Sequence, residues 1–457
     1  MKANAILFSM CLAATGTHAY AANAMEKSSR SNENEASKSE AVKEQAPATQ
    51  QAGTSDKKGL FIGGYGEVAL SRNWFSDNPY KYSDAKDHKN EKHGRFDIPH
   101  AVIYLGYNFG KGWTMSSEIE FEHGGTGGAF EKEYEEGGDW ENEREKGGEV
   151  ELEQFWIQKS FFPQLNVRAG HIVVPIGLTN AHHEPLNFFT VYRPEGEANL
   201  FPCTWHQTGI SVWGLAGDWR YEAQLIAGLN SLGFTKDKWI QGGANSPFEF
   251  EAANKLAGAV RVDNYSIKGL RMGVSGYYGH SVNNTYNIEP GEDYKKKGAV
   301  VVGTFDFTYD DHNWIVRGNF DYSHLGDAFT ISKMNQSQSN NSPYGKNHVG
   351  DRAVAYGVEA GYDLFSQFGK TRDSGQKFYV FGRYEYYDSY NPAKDDRGYK
   401  NIDYPWTEVN RMAVGVNYCP IPEIVVKGEF SKRFLKTGYN DEPSISFGVA
   451  YAGFFTK

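Results

Sequence analysis

From Gly59 onward, apolar and polar residues alternate with a period of two. The segment Asp218 to Asn230 shows the pattern most clearly. Trp219, Tyr221, Ala223, Leu225, Ala227 and Leu229 fall on one face, with Arg220, Glu222, Gln224 and Asn230 on the other. Asn313 to Ser323 repeats it, setting Trp314, Val316, Gly318, Phe320 and Tyr322 against Arg317, Asn319, Asp321 and Ser323. A third stripe, Ile445, Phe447, Val449, Tyr451 and Phe455, closes the chain. Successive side chains of a strand point to opposite sides, so alternation of this kind marks strands with one apolar and one polar face. The whole chain yields sixteen predicted strands: 59–71, 95–109, 112–122, 149–161, 165–174, 207–215, 218–230, 255–264, 269–280, 297–309, 312–324, 352–364, 376–388, 408–418, 423–434 and 443–454.

The connections between these strands alternate in length. Short turns at Gly110-Lys111, Pro163-Gln164, Ala216-Gly217, Ser266 to Lys268, Asp310-Asp311 and Cys419 to Pro422 are interleaved with long polar stretches. The long ones are 72–94, 123–148, 175–206, 231–254, 281–296, 325–351 and 389–407, with a shorter one at 435–442. A soluble sandwich has no reason to gather its long loops at one end. A closed antiparallel 16-stranded transmembrane β-barrel does, with short periplasmic turns and long extracellular loops. Such a barrel also pairs every backbone N–H and C=O in lipid without leaving an edge. Its apolar stripes face hydrocarbon, and Trp113, Trp219, Trp314, Tyr362, Phe378 and Phe455 mark the headgroup girdles. Eight strands are filled by their own side chains, whereas sixteen leave an aqueous interior.

The N-terminus has a different character. Lys2, an apolar core from Ala5 to Ala14 and the small-x-small site Ala19-Tyr20-Ala21 predict a secretory signal peptide over 1–21. Residues 22–58 are charged and nearly free of large apolar side chains, which predicts a disordered periplasmic segment ahead of the barrel domain 59–457. Exported this way, the chain is expected in the outer membrane, among its lipid and lipopolysaccharide. A net charge of −10 gives no footprint for nucleic acid. Of three cysteines, Cys11 lies in the leader, and Cys203 and Cys419 read as incidental thiols.

Candidate chemistry concentrates in the loop 175–206. Its four prolines, Pro175, Pro185, Pro194 and Pro202, favour a fixed course, and Pro185 to Arg193 is expected to form a short helix. The segment from His182 to His206 also carries His183, Glu184, Arg193, Glu195 and Glu197. Strand parity points Arg168, Arg220, Arg261, Arg271, Arg317, Arg383, Arg411, Lys427 and Arg433 inward. It does the same for Glu67, Glu118, Glu120, Glu222, Asp263, Asp306, Asp321, Glu359, Asp363, Glu385 and Glu429. These charges either guide solutes across the lumen or pair with one another and brace the wall. The acidic run in 123–148 reads as a solvated loop, with cation binding beside lipopolysaccharide as the sharper alternative. Adjacent His182 and His183 on extended backbone point opposite ways and lack a third ligand at diagnostic spacing, so no metal is expected there. No nucleotide-binding glycine motif or nucleophile elbow is present, so neither cofactor nor enzyme is expected.

The run Gly170-His171-Ile172-Val173-Val174-Pro175-Ile176-Gly177, continuing LTNAHHEPLNFFTVYRPEGE, resembles the centre of the phosphate-selective porin O/P family. The resemblance implies a homotrimeric channel whose third loop folds inward and whose basic side chains guide anions. It assigns that loop to 175–206 and makes Arg193, His182, His183, Glu184, Glu195, Arg168, Arg220, Arg317 and Arg383 candidates for the constriction and solute contacts. The loop departs from an anion filter, since it holds three acidic residues against Arg193 alone. Passive diffusion of small hydrophilic solutes, anions such as phosphate among them, is the expected function. The alternative is a surface adhesin acting through acidic loops.

Overall fold

The structure, a computed structural model, describes residues 58–73, 93–134, 140–180, 182–244, 250–285, 291–336, 348–391, 404–436 and 443–456, with backbone alone over 124–134 and 140–149. The expected leader, and the linker up to residue 57, lie outside the described residues.

Seventeen strands form one antiparallel sheet. They are β1 Gly59–Arg72, β2 Gly94–Asp97, β3 His100–Gly110, β4 Trp113–Tyr134, β5 Trp140–Phe162, β6 Leu165–Val173, β7 His206–Ala216, β8 Trp219–Ala227 and β9 Leu256–Ile267. The rest are β10 Leu270–His280, β11 Ala299–Asp311, β12 Trp314–Leu325, β13 Arg352–Asp363, β14 Lys377–Asn391, β15 Glu408–Ile421, β16 Ile424–Leu435 and β17 Ser444–Phe454. Both β2 and β3 pair with β1, so they are two halves of one stave, parted at Ile98-Pro99. Proline brings no N–H to a ladder, which accounts for the break. With β1 paired to β17, the ring closes at sixteen staves, as the alternation predicts.

The two faces separate by polarity. On β8, Arg220, Glu222 and Gln224 are buried, while Trp219, Ala223 and Leu225 are exposed. Val68, Ile103, Ile157, Val274, Phe320, Val414 and Phe447 are likewise exposed, and with their neighbours they make an apolar belt around the outside. Trp113, Trp219 and Trp314, each just past a short turn, are exposed at one rim. A closed barrel wearing its apolar residues outside fits a lipid environment and no aqueous one. No described helix is long and apolar enough to cross a membrane.

Three expectations change. Strands β4 and β5 extend well beyond the predicted 112–122 and 149–161. Their ladder continues from Gly127↔Gly147 to Tyr134↔Trp140, so most of the expected loop 123–148 is a hairpin. The ladder is made by backbone groups, and like charges opposite each other, as at Glu131↔Glu143, cost only about 0.2–1 kcal/mol per pair. Acidity alone therefore does not end a strand. The side chains of this run lie outside the described residues.

Second, Ala227 and Leu229 do not join the outer stripe of β8. The strand ends at Ala227 and the chain turns inward, burying both. Third, the stretches 231–254 and 325–351 are polar on average yet anchored by apolar residues. Phe234, Trp239 and Ile240 from one, and Ile331 and Met334 from the helix Ala328–Gln336 in the other, join Leu200, Phe201 and Trp205 in one core. That core rests on Trp156, Val300, Val302 and Ala355 of the inner wall. Part of the interior is thus filled by loops rather than water.

Candidate functional site

The loop between β6 and β7 turns into the barrel and crosses it. Two glycines, one within β6 and one in the loop, permit this course. Gly170 has φ +142°, and a Cβ there would lie 2.2 Å from the carbonyl oxygen of Phe155. Gly177 has φ +76°, and its Cβ would lie 2.4 Å from Glu197 Oε1. The Glu197 carboxylate needs that space, because it accepts the backbone N–H groups of Leu178, at 2.7 Å, and Thr179. The expected helix over Pro185 to Arg193 is a single 3-10 turn, Pro185–Asn187, and the loop's helix lies later, at Glu195–Leu200. Pro194 immediately precedes that helix and Glu195 and Glu197 occupy its first turn, both favourable at a helix start. The preceding Phe188, Phe189, Thr190, Val191 and Tyr192 are aromatic or β-branched, types that favour extended backbone, and all five are buried.

On the far side, wall charges grip the loop backbone. Lys427 Nζ, on a residue 2% exposed, donates to the carbonyls of Pro185 at 2.6 Å, Phe188 at 2.9 Å and Thr190 at 2.8 Å. Glu429 accepts Val191 N–H at 2.7 Å, and Glu385 accepts Glu195 N–H at 3.0 Å. The loop's Glu195 meets Arg411 at 3.0 Å and Arg433 at 3.4 Å, and Arg411 also reaches Glu385 at 2.9 Å and Glu429 at 2.5 Å. Arg317 and Arg383 converge on Glu359, at 2.7 and 3.2 Å, and Phe189 stacks on Phe381 with centroids 5.3 Å apart. Buried charges persist only when paired and hydrogen-bonded, and here the pairs seat the loop.

The opposite wall repeats this logic. Arg261 and Arg271 both contact Asp263 and Asp306, at 2.6–3.0 Å, and Arg261 donates to the Gly177 carbonyl at 2.9 Å. Arg220 binds Glu222 at 2.5 Å. Arg168 stands apart, bonded to Gln158 and lying 4.4 Å over the Trp156 ring. Burial, together with the Arg271 and Arg261 guanidinia, holds the His182 imidazole well below its usual range, so it is neutral. The structure gathers His183, Glu184 and Arg193 elsewhere. Tyr104 donates to Glu184 at 2.8 Å, and Arg193 donates to Tyr65 Oη at 3.2 Å and to the His183 carbonyl at 3.3 Å. Arg220, Arg317 and Arg383 therefore end on carboxylates, which favours bracing over solute guidance.

Beside this group lies a cavity of about 1010 Å³ whose lining includes Glu120, Glu122, Glu151, Glu153 and Glu251 with His171, His206 and Cys203. Cys203 and Cys419 are both free thiols. Strand parity alone turns Glu118 and Glu120 inward but not Glu153. The register between β4 and β5 slips between Glu118↔Gln154 and Ile119↔Leu152, leaving Glu153 as the extra residue of a bulge. Bulges re-aim side chains, and here Glu153 and Gln154, although adjacent, are both buried. The sequence carries a signal for this: Val150, Leu152, Phe155 and Ile157 break step between Leu152 and Phe155. His100 was also missed. It bonds Glu67 at 2.7 Å and stands 3.8 Å from Glu120 and 3.9 Å from Glu122.

No family model matches the chain. An uncharacterized protein of Aquifex aeolicus (strain VF5) is 27% identical over 386 residues, covering 83% of this chain and 77% of that protein. Among solved structures, Salmonella typhi OmpF in complex with daunomycin is similar with a TM-score of 0.50 at 10% identity, covering 87% of this chain and 98% of that one. An anion-selective porin from Comamonas acidovorans has a TM-score of 0.49 at 11% identity, covering 87% and 100%. At such identities the OmpF likeness speaks to the fold alone.

Proposed function

We propose that the protein is an outer-membrane channel for passive diffusion of small hydrophilic solutes, narrowed by the loop 174–205. The observation that carries this is a sixteen-stave barrel, apolar outside and charged inside, whose inward arginines are largely spoken for while a glutamate-lined chamber remains. An anion stripped of water needs several fixed donors, and here Arg220, Arg261, Arg317, Arg383 and Arg411 already hold carboxylates. The passage therefore favours small cations and neutral solutes over phosphate-like anions. The resemblance of Gly170 to Glu197 to the phosphate-selective porin O/P family supports the inward loop and a homotrimer, but not that family's anion preference.

Single-channel recording in planar bilayers under a salt gradient tests this. Conductance with a cation-selective reversal potential is expected. A folded but silent barrel would overturn the channel, and anion selectivity would overturn the solute class. Light scattering of the detergent-solubilised protein, with one mass equal to three chains, checks the trimer.

A further inference from the structure

Glu118 on β4, Glu153 on β5 and His183 on the loop bring one ligand atom each to within 4.8 Å of one another, and all three are buried. Three features set this trio apart from an ordinary acidic cluster. Glu153 is 1% exposed, and neither of its carboxylate oxygens makes a hydrogen bond of normal geometry among the described residues, although Thr204 and Glu120 stand close to it. It is aimed inward only because β5 spends its bulge there. His183 donates Nδ1–H to the Asn180 carbonyl at 3.1 Å, which turns Nε2 toward Glu118, 3.4 Å away. A backbone carbonyl on the far nitrogen is the arrangement that orients a metal-binding imidazole.

We propose that Glu118, Glu153 and His183 bind one divalent transition-metal ion. Two carboxylate oxygens and one imidazole nitrogen suit zinc-like ions, and leave a fourth position for water. A ligand set with nitrogen disfavours calcium and magnesium, which take oxygen almost alone. Glu153 also lines the 1010 Å³ cavity, which gives the ion a route in. Binding uses the Nε2 lone pair of His183 and ties the loop to the β4–β5 wall. This inference does not rest on the channel reading, because binding is measured on folded protein without conductance.

The test is calorimetric titration of chelator-treated, full-length protein in detergent with Zn²⁺, followed by the absorption spectrum of the Co²⁺ form. One tight equivalent is expected, with a Co²⁺ spectrum of low coordination number that millimolar Mg²⁺ does not erase. Glu153→Gln and His183→Asn should each weaken Zn²⁺ at least about tenfold, and His171→Asn, in the neighbouring histidine pair, should leave it unchanged. Heat-modifiable gel migration confirms that each variant is a closed barrel. Should Glu153→Gln not assemble, His183→Asn carries the same test from outside the strand ladder. Absence of binding below about 1 mM, or affinity that survives both variants or falls only with His171→Asn, would overturn the site.

Discussion

At the scale of single residues, the loop is held by groups that leave little slack. Lys427 satisfies three buried carbonyls at once, so replacing it removes the partner of each. Lys427→Met preserves length and apolar bulk but leaves those oxygens unpaired, at a cost of about 2–4 kcal/mol. A lower melting temperature by circular dichroism is expected. In bilayers the variant should show a larger or noisier conductance, because the loop loses its far-side anchor. Gly177 is demanding for another reason. At φ +76° any Cβ is strained, and this one also collides with Glu197. Gly177→Ala should destabilise the protein by about 1–3 kcal/mol, read from the same thermal unfolding. A melting temperature equal to the parent's would mean that the Glu197 hydrogen bonds to Leu178 and Thr179 can shift without loss.

At the scale of elements, legibility follows how local the cause is. Strand alternation depends on each residue and its neighbours, so sixteen staves and the inward placement of Arg261, Asp306, Glu385 and Glu429 could be read directly from the chain. The bulge at Glu153 was legible only as a phase slip between Leu152 and Phe155, because a single extra residue inverts every later assignment on its strand. The expected helix at Pro185 to Arg193 failed because tertiary contacts decide that segment: Phe189 goes to Phe381, Val191 to Glu429 and Tyr192 to Arg95. The loop core was hidden for a similar reason, since a few apolar anchors in a polar stretch gain meaning only once the loops meet. The helix Ala328–Gln336 tests that core. Ile331 is fully buried against it, and Ile331→Ala should cost about 2–5 kcal/mol. The loss should show as faster amide exchange across 328–336 while the strand ladder stays protected, as expected where loops and barrel open separately. Uniform exchange across ladder and loops would instead mean that loop core and barrel unfold as one unit.

At the scale of the whole molecule, what distinguishes the interior is how its charges are spent. Opposite signs meet along the inner wall, on the same or nearby staves, at Arg411 with Glu385 and Glu429, at Arg261 with Asp263 and Asp306, and at Arg317 with Glu359. Pairs at contact distance cancel beyond a few ångströms, so they contribute little field to a passing ion. The chamber beside β4 and β5 is different, since Glu122 and Glu151 line it with no arginine or lysine among its described lining residues. Its field should therefore set the selectivity of the passage, and that field is open to screening. The Debye length is about 3 Å at 1 M salt and about 10 Å at 0.1 M, so the cation-to-anion permeability ratio should rise as KCl is lowered across that range. Replacing both Glu122 and Glu151 by Gln should flatten this dependence, while replacing exposed Glu292, outside the chamber, should leave it intact. Reversal potentials at several salt concentrations decide the matter. A ratio that does not respond to salt, or that responds equally in the double variant, would place the selective field on the paired walls rather than in the chamber.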